Sequence, residues 1–194
     1  MINIKKQGLL EQIKADIVTN NICPDLVAGA TNIVMGDGNL DAQIVLIGEA
    51  PGKQEDLQGL PFIGAAGKFL DKMLESANIK RSDVYITNIV KYRPLNNRDP
   101  KPDEKEAFWP YLLRQLDVIK PQVVVTLGRH SMEYFLPGQK IGEIHGQPKY
   151  VKMGNKKMMV VPLYHPAAAL YNGSLRDTLI NDFNKLLQII DKNN

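Results

Sequence analysis

The chain has 194 residues, 44% of them hydrophobic, which suits one compact domain spanning residues 1–194 and is short for two. Its net charge of +3 neither demands nor excludes a polyanionic partner, and its single cysteine excludes an internal disulfide and an all-cysteine metal site held by one chain. No apolar run is long enough to span a bilayer and residues 1–6 (MINIKK) carry no secretory pattern, so a soluble, cytoplasmic protein with no membrane partner is expected.

Residues 43–47 (QIVLI), 84–87 (VYIT) and 122–127 (QVVVTL) are short apolar, β-branched runs, the pattern of neighbouring strands in a parallel sheet covered on both faces. The first runs into Gly48, Glu49, Ala50, Pro51 and Gly52, which either cradle an anion with backbone N–H groups or only make a tight turn. Residues 59–67 (GLPFIGAAG) set Phe62 in a glycine-rich loop, where its ring is either a core anchor or a stacking platform for a flat base. Phe69, Leu70, Met73, Leu74 and Ala77 then recur at helical spacing. Asn88 ends the second strand with a donor and an acceptor on one side chain, enough to read a pyrimidine edge or to cap its own turn.

Leu112, Leu116 and Ile119 mark a second helix ahead of the third strand, which Gly128 and Arg129 follow. Residues 149–152 and 158–161 flank Met153, Gly154, Asn155 and Lys156, a hairpin pattern whose second strand delivers His165. In 164–170 (YHPAAAL) Pro166 fixes the turn after that histidine, whereas His130 and His145 have no such setting. Three histidines so scattered suggest no zinc site, and no metal is expected. Ser174 and Asp177 have capping-box spacing, and Leu175, Leu179, Phe183, Leu186 and Ile190 continue as one amphipathic closing helix.

Strands alternating with helices indicate an α/β fold. In an open parallel sheet, ligands collect at the carboxyl ends of the strands, so Glu49, Asn88, Gly128, Arg129 and His165 are expected to converge on one edge. Arg93, Arg98, Lys101, Arg129 and Arg176 lie in or beside loops, where they pair with phosphates or are simply solvated.

Taken in order, GEAPG (48–52), GLPFIGAAG (59–67), TNIVKYRPLNNRDP (87–100), VVVTLGRH (123–130) and YHPAA (164–168) resemble the uracil-DNA glycosylase superfamily. The match runs from about Cys23 to about Asp182 and is closest to family 4, the bacterial and archaeal glycosylases that carry an iron–sulfur cluster. The resemblance implies a three-layer α/β/α domain with a central, mostly parallel sheet of about four strands. It also implies a monofunctional, monomeric enzyme that flips deoxyuridine out of single- or double-stranded DNA and hydrolyses the N-glycosidic bond, releasing uracil and leaving an abasic site. The alternative is a catalytically silent DNA-binding or replication-accessory protein on the same fold.

By motif position, the resemblance makes Phe62 the stacking ring for uracil and Asn88 the reader of its N3 and O4 edge. It makes His165 the donor to O2 and Glu49 the group that positions or activates water, with Gly48 completing the pocket. Residues 168–172 become the minor-groove loop, with Leu170 or Tyr171 as wedge and Ala168, Asn172 and Arg129 beside the DNA. Two departures stand out. The positions matched to the four cluster cysteines are Asn20, Cys23, Tyr92 and Phe108, so no cluster and no other cofactor is expected, with Tyr92 and Phe108, Trp109 adjacent, filling its volume. Ala50 stands where many superfamily members place an Asp, which leaves the water to Glu49. Residues 93–105 contain no histidine, so the covalent product trap of another branch is not expected.

Overall fold

The computed structural model describes residues 2–154 and 156–191. Among them six strands form one sheet: β1 (Asp37–Gly38), β2 (Ile44–Gly48), β3 (Tyr85–Asn88), β4 (Val123–Leu127), β5 (Lys149–Met153) and β6 (Lys156–Leu163), in the order β1-β3-β2-β4-β6-β5. The four inner strands are parallel and the two edge strands antiparallel. This is the parallel sheet of about four strands expected, extended at each side. The expected hairpin is β5 and β6, paired from Lys149 with Val160 to Met153 with Lys156, and Asn155 at its tip lies outside the described residues. β1 was not anticipated, because two residues are too short to show alternation.

All five positions of β2 and of β4 are buried, because helices cover both faces of the sheet. Side chains alternate between the faces. Val45, Ile47 and Val124 pack with Phe108 and Leu112 of α5 (Pro102–Ile119), while Leu46, Val125 and Val161 pack with Leu70 and Met73 of α4 (Ala65–Ser76) and Phe183 of α9 (Leu175–Asn184). Three layers result. The first is completed by α1 (Ile2–Thr19), which buries Leu10, Ile13 and Ile17 and lies against α5. Exposed Ile4, Leu9 and Val18 on its other sides hid that stripe from a reading by periodicity.

The closing helix departs from expectation in two ways. Ser174 is already in helical backbone geometry and makes no side-chain cap. Its N–H and hydroxyl both donate to Asn172 Oδ1, at 3.1 and 2.7 Å, and this local bond replaces the capping box. The helix is also divided at Lys185 into α9 and α10 (Leu186–Asp191), although Leu179, Phe183, Leu186 and Ile190 remain buried along one face as the spacing requires. No helix among the described residues is long and apolar enough to cross a membrane.

Candidate active site

The carboxyl ends of the parallel strands do converge. Gly48 is paired with Asn88 across β2 and β3, Glu49 follows directly, and Gly128 N–H bonds Leu163 O to bring the start of α6 (Arg129–Phe135) beside His165. Together they border a cleft of about 440 Å³ whose lining includes Glu49, Glu55, Phe62, Asn88, Asp99 and His165.

Close packing behind the cleft explains the glycines. A Cβ at Gly48 would overlap Asn88 Oδ1 and come within 2.6 Å of Phe62 Cζ, so only glycine lets the ring and the amide share that wall. Phe62 itself has a left-handed backbone, φ 51°, a strained state for a residue with a Cβ. The strain is held from two sides. Glu55, on α3 (Lys53–Gln58), accepts the N–H groups of Ile63 and Gly64 at 3.0 and 2.8 Å, and Gly67 leaves room for the Phe62 carbonyl, which any Cβ there would strike. The ring so placed lies 5.6 Å from the His165 ring, tilted by 34°.

Asn88 is only 2% exposed, and its Oδ1 has no hydrogen-bond partner among the described residues. An unpaired buried acceptor on a cleft wall is free to take a donor from water or from a ligand. Its main chain is anchored from below. Lys91 is fully buried, donates from Nζ to Asn88 O at 2.6 Å and to Thr87 Oγ1 at 2.8 Å, and is pulled down to about 7 by burial.

His165 Nδ1 accepts the Ala167 N–H at 3.1 Å. That bond occupies the Nδ1 lone pair, so the neutral ring carries its proton on Nε2. Burial, with help from the nearby His130, pushes the His165 pKa down to about 4, so the neutral form holds throughout the physiological range. Glu49 moves the other way: burial first, then the Asp99 carboxylate, raise it to about 7 against the pull of Lys105 and Arg129.

Of the residues expected at the site, Glu49, Phe62, Asn88, His165, Leu170 and Tyr171 line the cleft, and Gly48 backs it. Residues 168–172 are not an open loop: α8 (Ala168–Tyr171) carries Leu170 and a 91% exposed Tyr171 at the cleft rim. Ala168 and Asn172 lie outside the lining, Asn172 being engaged with Ser174. Arg129 sits at the margin, its Nε donating to His130 Nε2 at 3.2 Å and its Nη2 3.5 Å from Asp99.

Four participants escaped the sequence reading: Glu55, Lys91, Asp99 and His130. His130 Nε2 lies 3.3 Å from Asp99 Oδ2 and 3.7 Å from Glu49 Oε2. Its position two residues beyond Gly128, at a strand end, was the available signal. These three side chains are the one group of potential metal ligands found among the described residues, their ligand atoms within 4.8 Å of one another.

The positions matched to cluster cysteines do not suit a cluster. Tyr92 and Phe108 are buried with rings 6.0 Å apart, edge to face, and Asn20 is exposed. The Cys23 thiol is raised to about 11 by burial and by Glu104, Asp103 and Asp25, which disfavours the thiolate a metal needs. Trp109, beside Phe108 in the chain, packs against the same core, and its ring meets Tyr134 and Phe135, each 5.0 Å away, on the side of α5 that faces α6.

The family model described as the uracil DNA glycosylase superfamily matches residues 35–188. The chain is 46% identical to a type-4 uracil-DNA glycosylase of Sulfurisphaera tokodaii over 188 residues, covering 93% of this chain and 84% of the relative. Similar proteins bearing the same description occur in Archaeoglobus fulgidus, 45% identical with 94% of each chain covered, and in Thermotoga maritima, 40% identical with 96% of this chain and 97% of the relative covered.

Proposed function

Because the chain belongs to the uracil DNA glycosylase superfamily, we propose that it is a uracil-DNA glycosylase whose cleft at the strand ends receives a deoxyuridine flipped out of DNA. Flipping is required because the N-glycosidic bond lies within the base stack, out of reach of protein groups. The observation that carries this reading is the partnerless Oδ1 of Asn88, set in a cleft wall shared with Phe62. Uracil supplies the missing donor at N3–H, the Asn88 amide N–H donates to O4, and the Phe62 ring stacks on the base.

Bond cleavage sends the glycosidic electron pair into uracil, and charge grows on O2. In this reading the Nε2–H of neutral His165 donates there, a stabilisation worth on the order of 10²–10³-fold in rate for comparable oxyanion donors. Glu49, as carboxylate, takes a proton from the attacking water and favours the cationic sugar opposite it.

The reaction is proposed to stop at the abasic site. No lysine lines the cleft among the described residues, and Lys91 is buried beneath Asn88 with its Nζ bonded inward, so a Schiff-base nucleophile is lacking. The enzyme is also proposed to work without an iron–sulfur cluster, since one protonated thiol and two packed aromatic rings stand at the positions concerned. A uracil-containing oligonucleotide incubated with the protein should break only after alkali treatment. A strand that stays intact after alkali, single- or double-stranded, rejects the reading, and scission without alkali rejects the monofunctional part. Iron near one cluster per chain in anaerobically purified protein would overturn the cluster-free assignment.

A further inference from the structure

His130 stands beside Glu49 and Asp99, which line the cleft, with no role assigned to it by the site residues above, yet its surroundings are specific. Its side chain is 19% exposed, and its Nε2 faces three groups at once: Arg129 Nε–H at 3.2 Å, Asp99 Oδ2 at 3.3 Å and Glu49 Oε2 at 3.7 Å. Lys105 and His165 complete the charged and titratable groups around it. A single nitrogen shared by a cationic donor and two carboxylates has two satisfactory states. Unprotonated, it accepts from Arg129; protonated, it donates toward the carboxylates.

We propose that His130 is a positioning residue for Glu49 and receives its proton, with Asp99 stabilising the charged imidazole, so that Glu49–His130–Asp99 forms a proton path from the attacking water to the mouth of the cleft. The assignment rests on the glycosylase reading above. The water oxygen bonds to C1′ as the C1′–N1 bond breaks with its electron pair leaving on uracil. The water's proton passes to Glu49 and, once the 3.7 Å between Glu49 Oε2 and His130 Nε2 closes to hydrogen-bond length, on to His130 Nε2, where Arg129 gives up its hydrogen bond and Asp99 accepts the new N–H. The path ends at solvent, because the Asp99 side chain is 65% exposed. The uracil anion takes a proton from solvent, so the overall reaction neither gains nor loses one.

Burial brings both groups into titration in the acid and neutral range: it raises Glu49 to about 7 and lowers His130 below the usual imidazole range, while the Asp99 carboxylate raises both and so favours a proton shared between them. The acid limb of the rate profile then has a distinctive form. As pH falls, Glu49 gains a proton and cannot take the water's, and His130 gains one and cannot receive the relayed one. Two protonations block the reaction, so the limb steepens toward a two-proton slope.

The test is single-turnover uracil release across the acid and neutral range for the parent, His130→Gln and Asp99→Asn, with DNA binding and thermal unfolding measured alongside. His130→Gln is expected to slow release roughly tenfold or more and to reduce the limb to a one-proton slope with DNA affinity retained. Asp99→Asn keeps the ring but removes a charge that raises both partners, so its limb should move to lower pH. A two-proton limb persisting in His130→Gln overturns the relay even if the rate falls, because a merely structural role predicts that result. If His130→Gln does not fold, an unmoved limb in Asp99→Asn overturns it. Parent protein that releases no uracil removes the glycosylase premise instead, an outcome distinct from an active parent with unaltered variants.

Discussion

Burial displaces the protonation of Glu49, Lys91 and His165, as it does that of His130, and the proposed mechanism gives each displacement a different use. In the proposed mechanism His165, at about 4, is neutral and donates without carrying charge, and Glu49, at about 7, takes a proton near neutrality. Lys91, also about 7, holds the main-chain carbonyl of Asn88, the residue proposed to read the base. Asn88→Asp should erode the preference for uracil over cytosine, because it exchanges the donor for O4 for an acceptor better suited to an amino group. The loss of one buried hydrogen bond is worth about 1–3 kcal/mol of discrimination, read from excision rates on matched uracil and cytosine substrates. For Lys91 the sign of the pH dependence follows from its depressed value. The fold favours the neutral amine, so the cost of charging it is fully present below about 7 and fades as pH rises toward the unfolded-chain value. Lys91→Met is therefore expected to melt higher than the parent below pH 7, with the advantage shrinking in alkali. It should release uracil more slowly, because Asn88 O loses its donor. Neither Lys91 nor Glu55 was legible in the sequence, where each is one more charged residue beside a loop.

The loop at residues 59–67 and the helix α8 illustrate two kinds of element at the cleft. The loop is determined by local chemistry, since its glycines permit the left-handed Phe62 and the approach of α4, and Glu55 six residues after Glu49 supplies the two-pronged acceptor that closes it. Its motif was readable, but the orientation of the ring was not, because that depends on the contact with Gly48 from a distant strand. By contrast α8 has little holding its outer face: Leu170 is 43% exposed and Tyr171 91%. Apolar side chains left open at the rim of a nucleic-acid cleft suit insertion into a stack. The Leu170→Ala, Tyr171→Ala pair is expected to slow uracil release from duplex DNA by about tenfold, roughly 1.4 kcal/mol, and to affect single-stranded substrate much less, since only the duplex requires the vacated space to be filled. Equal slowing on both strand forms would remove the wedge role. Apolar spacing revealed α4, α5 and the buried face of α9 and α10, whereas α1 was concealed by apolar residues on its exposed sides and the capping box at Ser174 lost to Asn172.

Across the whole molecule, two apolar layers sandwich the sheet, and the layer containing Tyr92 and Phe108 occupies the region that the family resemblance gives to a cluster. Phe108 is fully buried, so Phe108→Ala should cost about 3–5 kcal/mol of stability by transfer and cavity terms together, measured by denaturant unfolding. A cost under about 1 kcal/mol, within the range of a surface change, would mean that the ring is not a substitute support for this end of the core. The amino-acid sequence by itself determined the family, the α/β class, the parallel order of strand and helix, the edge on which Glu49, Asn88 and His165 emerge, and the lack of cluster ligands. Those follow from residue type and short-range period. Tertiary structure alone decided that Asn88 Oδ1 goes unpartnered among the described residues, that the Ala167 N–H on Nδ1 favours the Nε2–H tautomer of His165, and that Asp99 and His130 stand beside Glu49. Burial and the meeting of groups far apart in the chain set protonation and pairing, and neither is written in the order of residues along the chain.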